Sequence, residues 1–223
     1  NFYGRSQGPV TLRRALEDSL NVPFARLGME VGLVHVAETA RALGVESPLR
    51  PIPSLSLGAF EMTPLEVATA YGAFAAAGRW REPRTTLALV RPGGRVQRGD
   101  PVREHRALSP AEAFVVARGL QGVLERGTAR TARKLGVNGA VAGKTGTSND
   151  VRDAWFVGFT PDGVVAVWVG FDDGKRVGLT GAQAALPIFA SFVRGAFGSR
   201  RFPDFAEPRG VELVDIEPGS GLR

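Results

Sequence analysis

"AGKTGTSNDVRDAWFVGFTPDGVVAVWVGF", residues 142–171, contains the pattern from which we predict the fold class. Alternating or apolar runs of strand length lie near 137–147, 154–160 and 164–171. Only short turn-forming sequences separate these runs, such as Pro161-Asp162-Gly163. Antiparallel strands can be joined by so few residues, whereas parallel strands need a long crossover. The three runs are therefore predicted to form an antiparallel meander.

The front third of the chain has helical periodicity instead. Thr11 is predicted to cap a first helix, and Pro23 is predicted to end or kink it, because proline lacks a backbone donor. Ser19 and Asn21 are therefore expected near a helix end. Periodicity and capping signals predict further helices over about 34–43, 64–77, 109–125 and 183–196, and a hairpin around 92–94. The prediction is an α+β fold, with a helical part over about 9–80 and a strand-rich part over about 135–172.

Composition excludes several classes of site. The 223 residues include no cysteine, which rules out disulfides and thiolate chemistry, and two distant histidines make a metal site improbable. We predict no cofactor. The net charge of +6 comes almost entirely from arginine. We interpret it as a solvated basic surface, because the dense cluster "RWREPR" (79–84) falls at a predicted helix-to-strand junction and matches no nucleic-acid motif. No nucleic-acid partner is predicted.

Gly143-Lys144-Thr145 has two possible interpretations. A phosphate-binding loop needs a glycine five positions earlier and a helix afterwards, but position 138 is asparagine and turn residues follow the lysine. The alternative is Lys144-Thr145-Gly146-Thr147 at the end of a strand, where alternation puts both threonines on one face. Two hydroxyls beside a cation suit a carboxylate ligand. Gly146 would let a substrate backbone lie along the strand edge.

Two short motifs contain a serine that could take part in catalysis. Ser19-Leu20-Asn21 is either a helix C-terminal cap or a proton-relaying hydroxyl with an amide beside it. The stretch "GRSQG" (4–8) matches a nucleophile elbow, but only three residues precede it and no suitable histidine follows, so an ordinary loop is expected there.

Four blocks in order resemble the transpeptidase domain of class A penicillin-binding proteins, the bifunctional peptidoglycan synthases. They are "GPVTLRRALEDSLNVPFARL", "SLSLGAFEMTPLEVATAYGAFAAAG", "GKTGTSNDVRDAWFVGFTP" and "VVAVWVGFDD". The resemblance implies a five-stranded antiparallel β-sheet flanked by helices, with a helical subdomain. It also implies that residues 1–200 are part of such a domain and that 201–223 are a C-terminal extension.

By this resemblance, Ser19 and Asn21 form the family's Ser-x-Asn motif and Lys144 to Gly146 its Lys-Thr-Gly motif. Lys144 would orient the Ser19 hydroxyl. Thr145 and Thr147 would hold the terminal carboxylate of a D-alanyl-D-alanine stem peptide, beside Gly146, with the Thr147 N–H as an oxyanion donor. The implied partners are peptidoglycan stem peptides and β-lactams. The implied setting is the extracytoplasmic face of the bacterial cell membrane, with a glycosyltransferase domain upstream.

The third family motif, Ser-x-x-Lys with the acylated serine, does not occur in this sequence. We therefore expect a fragment that lacks the nucleophile and the first strands. Such a chain should be inactive alone and a poor folding unit, with an open apolar edge at 164–171. Leu20, where a class A β-lactamase has Asp, argues against that enzyme. A non-catalytic penicillin-sensing or peptidoglycan-binding module remains the alternative.

Overall fold

The computed structural model describes residues 8–198 and 200–215, in which helices dominate the first half and a small sheet the second. The helices are α1 (Leu12–Glu17), α2 (Asn21–Val31), α3 (Leu33–Ala42), α4 (Pro64–Ala75), α5 (Pro110–Glu125), α6 (Thr131–Lys134) and α7 (Ala185–Phe197). The strands are β1 (Arg79–Arg81), β2 (Ala88–Val90), β3 (Val96–Arg98), β4 (Glu104–Arg106), β5 (Ala142–Thr147), β6 (Ala154–Thr160) and β7 (Gly163–Val169). Two 3₁₀ turns cover Pro53–Leu57 and Asn149–Val151. The α+β prediction is confirmed.

The central sheet has the order β5-β6-β7, with both pairs antiparallel, so the predicted meander is confirmed. The first strand, however, begins at Ala142 rather than near 137. The residues before it turn aside at Gly139, which forms an isolated parallel bridge with Phe202. Among the described strands, β5 and β7 are the two edges of this sheet.

The main core lies where α5 and α7 pack on the sheet. Fully buried side chains from all three meet there, including Leu124 of α5, Phe156 of β6 and Leu186 of α7. Phe202, in the segment assigned to the C-terminal extension, packs into the same core.

The helix α5 begins where predicted, because Ser109 and Glu112 form a reciprocal capping box.

A second, smaller core joins α3 and α4, and Glu66 fixes its periphery. The Glu66 carboxylate accepts hydrogen bonds from the backbone and hydroxyl groups of Thr63 and Ser47, and from the backbone N–H of Glu46. The backbone N–H of Thr63 is the largest of several contributions that lower the Glu66 pKa to about 2. One carboxylate thus ties the loop after α3 to the first turn of α4.

One local prediction was wrong. Pro23 does not break a helix but lies in the first turn of α2, where its missing N–H would have had no partner inside the helix. The interruption falls earlier, at residues 18–20. The cluster at 79–84 lies at a helix-to-strand junction as predicted, and its first three residues, Arg79–Arg81, pair with Glu104–Arg106 in a two-stranded ribbon. Among the described residues, no helix is long and apolar enough to cross a bilayer.

Candidate active site

Ser19 occupies a strained backbone position at the end of α1. Its φ is +55°, a left-handed conformation in which glycine is the usual residue. The N–H of Leu20 bonds to the carbonyl of Ala15 and that of Ser19 to the carbonyl of Leu16, the hydrogen-bond pattern of a Schellman motif. The sequence thus places a hydroxyl where glycine would be more stable, which is typical of a position retained for function.

An ion pair fixes the end of α1 against the end of α5. The buried Glu17 carboxylate accepts two hydrogen bonds from Arg126, of 2.6 and 3.2 Å. The hydrogen bond to Glu17 is the main cause of a raised Arg126 pKa. The backbone N–H of Thr128 donates to the Glu17 carbonyl oxygen, and a side chain at Gly127 would overlap that oxygen. This junction holds Ser19 beside the sheet.

Lys144 joins the helical part to the sheet. Its ammonium donates to the Ser19 hydroxyl oxygen at 2.7 Å and to the Thr145 carbonyl oxygen at 3.0 Å. The first of these bonds links residues that are 125 positions apart. Burial lowers the pKa of Lys144 to about 8, so the group is mostly protonated at neutral pH but close to giving up its proton.

The two threonines of the strand have different partners. The hydroxyl of Thr145 lies 2.7 Å from that of Thr128, and either can be the donor. The hydroxyl oxygen of Thr147 accepts a 3.1 Å hydrogen bond from the backbone N–H of Gly181. Since its oxygen already accepts, the Thr147 O–H is left to donate to a ligand. Thr128 and Gly181 are therefore additional parts of the site.

Packing favours glycine at position 146, whatever binds at the strand. A Cβ at this position would lie 3.0 Å from the Cβ of Trp155 on β6. A Cβ at Gly181 would also collide with the Gly146 carbonyl oxygen, at 2.5 Å. The β5 edge opposite β6 carries no other strand within residues 8–198 and 200–215, so an extended peptide has room to pair with it.

Asn21 is not brought into this hydrogen-bonded group. It is the first residue of α2, its side chain is exposed, and that side chain has no hydrogen bond to any residue described. The structure thus brings Ser19, Lys144 and Thr145 together. Asn21 lies two residues after Ser19, at the start of α2. Most of the "GRSQG" stretch at 4–8 lies outside the described residues.

Sequence reasoning missed three contributors: Arg126, Thr128 and Gly181. The Gly-Thr pair just after the end of α5 was a weak local signal for Thr128. No local pattern indicates the other two, because their partners are 109 and 34 residues away. Within the described part of the chain, no cluster of three or more potential metal ligands occurs.

The arrangement is suited to handling a hydroxyl proton next to an anion. The Lys144 ammonium, with its lowered pKa, contacts the Ser19 hydroxyl. The same strand, β5, carries two further hydroxyls, those of Thr145 and Thr147. Such groups stabilise negative charge that develops on a ligand, because they are already oriented and partly shielded from water.

Comparison with known sequences gives a consistent result. The family model for the penicillin binding protein transpeptidase domain matches residues 1–194. Penicillin-binding protein 1A of Aquifex aeolicus is 37% identical over 222 residues, covering 98% of this chain and 30% of the relative. Penicillin-binding protein 1A of Neisseria meningitidis serogroup A is 36% identical over 219 residues, covering 95% of this chain and 27% of the relative. The chain thus spans about a third of the length of these relatives.

Solved structures show the same likeness. Penicillin-binding protein 1A from Haemophilus influenzae matches with a TM-score of 0.91 at 25% identity, covering 100% of this chain and 39% of that one. Penicillin-binding protein A from M. tuberculosis, as an imipenem acyl-enzyme complex, matches with a TM-score of 0.72 at 28% identity, covering 88% and 50%.

Proposed function

Because the chain belongs to the transpeptidase domain family of the penicillin-binding proteins, we propose that it supplies two of the three motifs of a D,D-transpeptidase site. The observation that carries this proposal is the 2.7 Å contact between Lys144 and Ser19, which unites the Ser-x-Asn and Lys-Thr-Gly motifs. The substrates are peptidoglycan stem peptides ending in D-Ala-D-Ala, and β-lactams compete for the same site. The setting is the extracytoplasmic face of the bacterial cell membrane.

The reaction is an acyl transfer in two steps. A serine oxygen forms an ester with the penultimate D-alanyl carbonyl, and the bond to the terminal D-alanine breaks. The serine proton reaches the leaving nitrogen through the Ser19 hydroxyl, which Lys144 orients. An amine of a second stem peptide then displaces the serine and forms the cross-link.

The remaining motif residues bind and polarise the donor peptide. The stem peptide lies along the free edge of β5 beside Gly146, and the hydroxyls of Thr145 and Thr147 receive its terminal carboxylate. The Thr147 N–H is one donor to the developing oxyanion. The Asn21 amide, at the start of α2 and two residues after Ser19, contacts the peptide once it is bound.

The 223-residue sequence contains no Ser-x-x-Lys, so we expect no acylation of this chain by itself. The experiment is labelling with a fluorescent penicillin, applied to this chain and to a longer form of the protein that includes an acylatable serine. In the longer form, Lys144→Ala should slow labelling by about a hundredfold or more. Lys134→Ala, a matched change at an exposed lysine of α6, should leave it unchanged.

The other outcomes have definite meanings. Unchanged labelling of the Lys144→Ala form would exclude the proposed role of that lysine. A folded longer form that binds stem peptides but is never labelled would instead identify a non-catalytic peptidoglycan-binding module.

A further inference from the structure

Residues 79–106 form an arginine-rich excursion between α4 and α5. The segment contains eight arginines and three carboxylates, and so carries a net charge of +5 out of the chain's +6. It folds as two antiparallel ribbons, β1 with β4 at the base and β2 with β3 at the outer end. We call the outer ribbon, residues 87–98, the β2–β3 hairpin.

Two of the three carboxylates form ion pairs at the base of the excursion. Glu104 pairs with Arg79 and Arg81, and Glu82 pairs with Arg103 at 2.6 Å. Trp80 of β1 stacks on His105 of β4, with ring centroids 4.8 Å apart. The guanidinium of Arg84 donates to the carbonyl oxygens of Asp100 and Pro101, and so links the two chain segments that connect the two ribbons. The base is therefore a fixed support in which both glutamates are paired with arginines.

The hairpin itself has unneutralised charge. Arg91, Arg95 and Arg98 make no ion pair with any carboxylate in the described part of the chain. The guanidinium of Arg91 donates only to the neutral side-chain oxygen of Gln97 within the described part of the chain. Three guanidinium groups, two of them flanking the Pro92–Gly94 turn, thus face solvent within one short ribbon.

Aliphatic side chains are exposed between these arginines. Leu87 is 81% exposed and Val90 is 71% exposed, and Leu89 and Val96 are more than half exposed. Every residue of both strands is exposed. Aliphatic groups concentrated in this way on a projecting element indicate a surface that becomes covered by something else.

We propose that the β2–β3 hairpin docks on a bilayer surface that carries anionic phospholipids. Clusters of arginines on a projecting element bind anionic headgroups, and interleaved aliphatic side chains enter the boundary between headgroups and acyl chains. Residues 81–104 contain no Phe, Trp or Tyr. That absence disfavours a single-stranded nucleic acid, which needs stacking platforms, and a protein partner, whose binding energy concentrates on aromatic anchors. The docking does not depend on acyl transfer.

The test is co-sedimentation of the 223-residue chain with vesicles of phosphatidylcholine containing about 30% phosphatidylglycerol, and with vesicles of phosphatidylcholine alone. The same chain fused to a soluble carrier protein is assayed in parallel, so that self-association of the free chain does not determine the result. We expect binding to the anionic vesicles only, and its loss when NaCl rises from about 0.05 M to about 0.5 M.

Variants locate the surface. Each arginine near an anionic bilayer contributes about fivefold in affinity, so Arg91→Gln, Arg95→Gln and Arg98→Gln together should weaken binding about a hundredfold. Leu87→Ser with Leu89→Ser, which leaves the charge unchanged, should weaken it about tenfold. The control variant combines Arg26→Gln, Arg41→Gln and Arg209→Gln, which remove the same charge from exposed positions outside the hairpin. It should bind the anionic vesicles within about twofold of the unaltered chain.

Three results would overturn the proposal. The first is equal binding to both kinds of vesicle, and the second is equal weakening by the hairpin and control triple variants. The third is tight binding to a soluble acidic polypeptide, such as polyglutamate, without binding to the anionic vesicles, which would assign the hairpin to an acidic protein partner.

Discussion

Lys144 should make the folded chain less stable near neutral pH than an apolar side chain would. Burial lowers its pKa to about 8, against an ordinary value of 10.5. A shift of that size corresponds to about 3 kcal/mol of destabilisation when the group is charged. The hydrogen bonds to Ser19 and Thr145 are lost on substitution, each at a cost of about 1 kcal/mol. We therefore expect Lys144→Met to raise the free energy of unfolding by about 1–2 kcal/mol near pH 7.

The pH dependence gives the sharper test. Between about pH 8 and 10.5 the unfolded chain holds a proton on Lys144 that the folded chain has released, so the stability of the unaltered chain rises with pH across this window. Above the window the lysine is neutral in both states and no longer opposes folding. The advantage of the Met variant should accordingly shrink as pH rises from about 8 to 10.5, and be lost or reversed at the upper end.

The assay is urea unfolding followed by tryptophan fluorescence at several pH values, with the protein near 0.1 µM to limit association through open strand edges. Lys134→Met, at an exposed position on α6, is the control and should change the free energy of unfolding by less than about 0.5 kcal/mol. If Lys144→Met is less stable near pH 7, or if its difference from the unaltered chain does not vary with pH, the buried-cation argument is wrong.

Four further outcomes can be measured in the same system. Ser19→Gly should be about 1 kcal/mol more stable to urea than Ser19→Ala, since both lack the hydroxyl and only alanine keeps the left-handed strain; equal stability would contradict this. Thr128→Val should lower the free energy of unfolding by about 1 kcal/mol and Thr128→Ser by less, because only serine keeps the hydrogen bond to Thr145. The Glu66 carboxylate, with a pKa of about 2, should contribute about 1–2 kcal/mol after solvent screening, which is lost as pH falls from about 4.5 to 2, so Glu66→Gln should flatten the acid unfolding curve over that range. Light scattering at about 50 µM should show association that grows with concentration, through the open edge of β7, and a monodisperse, cooperatively melting sample would argue against it.

Local sequence patterns were sufficient for most elements. The strand at 154–160 was predicted with the bounds it has, because an apolar run of strand length between two turn sequences marks both of its ends. The start of α5 followed from a capping box, which depends on residues three positions apart. Pro23 was misjudged because one residue can either end a helix or begin one, and the surrounding sequence does not distinguish these cases.

The residue types of the candidate site were also visible in the sequence, since Lys-Thr-Gly and Ser-x-Asn are short contiguous motifs. Their contact was implied by the family resemblance alone, because no local pattern predicts it. The Lys144–Ser19 bond spans 125 residues, and the Glu17–Arg126 pair that positions Ser19 spans 109. The left-handed backbone of Ser19 and the lowered pKa of Lys144 arise from this packing.

By itself, therefore, the sequence determined most of the secondary structure, the α+β class and the family, because these depend on short-range periodicity and ordered motifs. Only the tertiary structure decided the distance between the ammonium and the Ser19 hydroxyl, which threonine completes the site and which arginines remain unpaired. Those properties depend on distances and burial between residues that are far apart in the chain, and no local pattern encodes them.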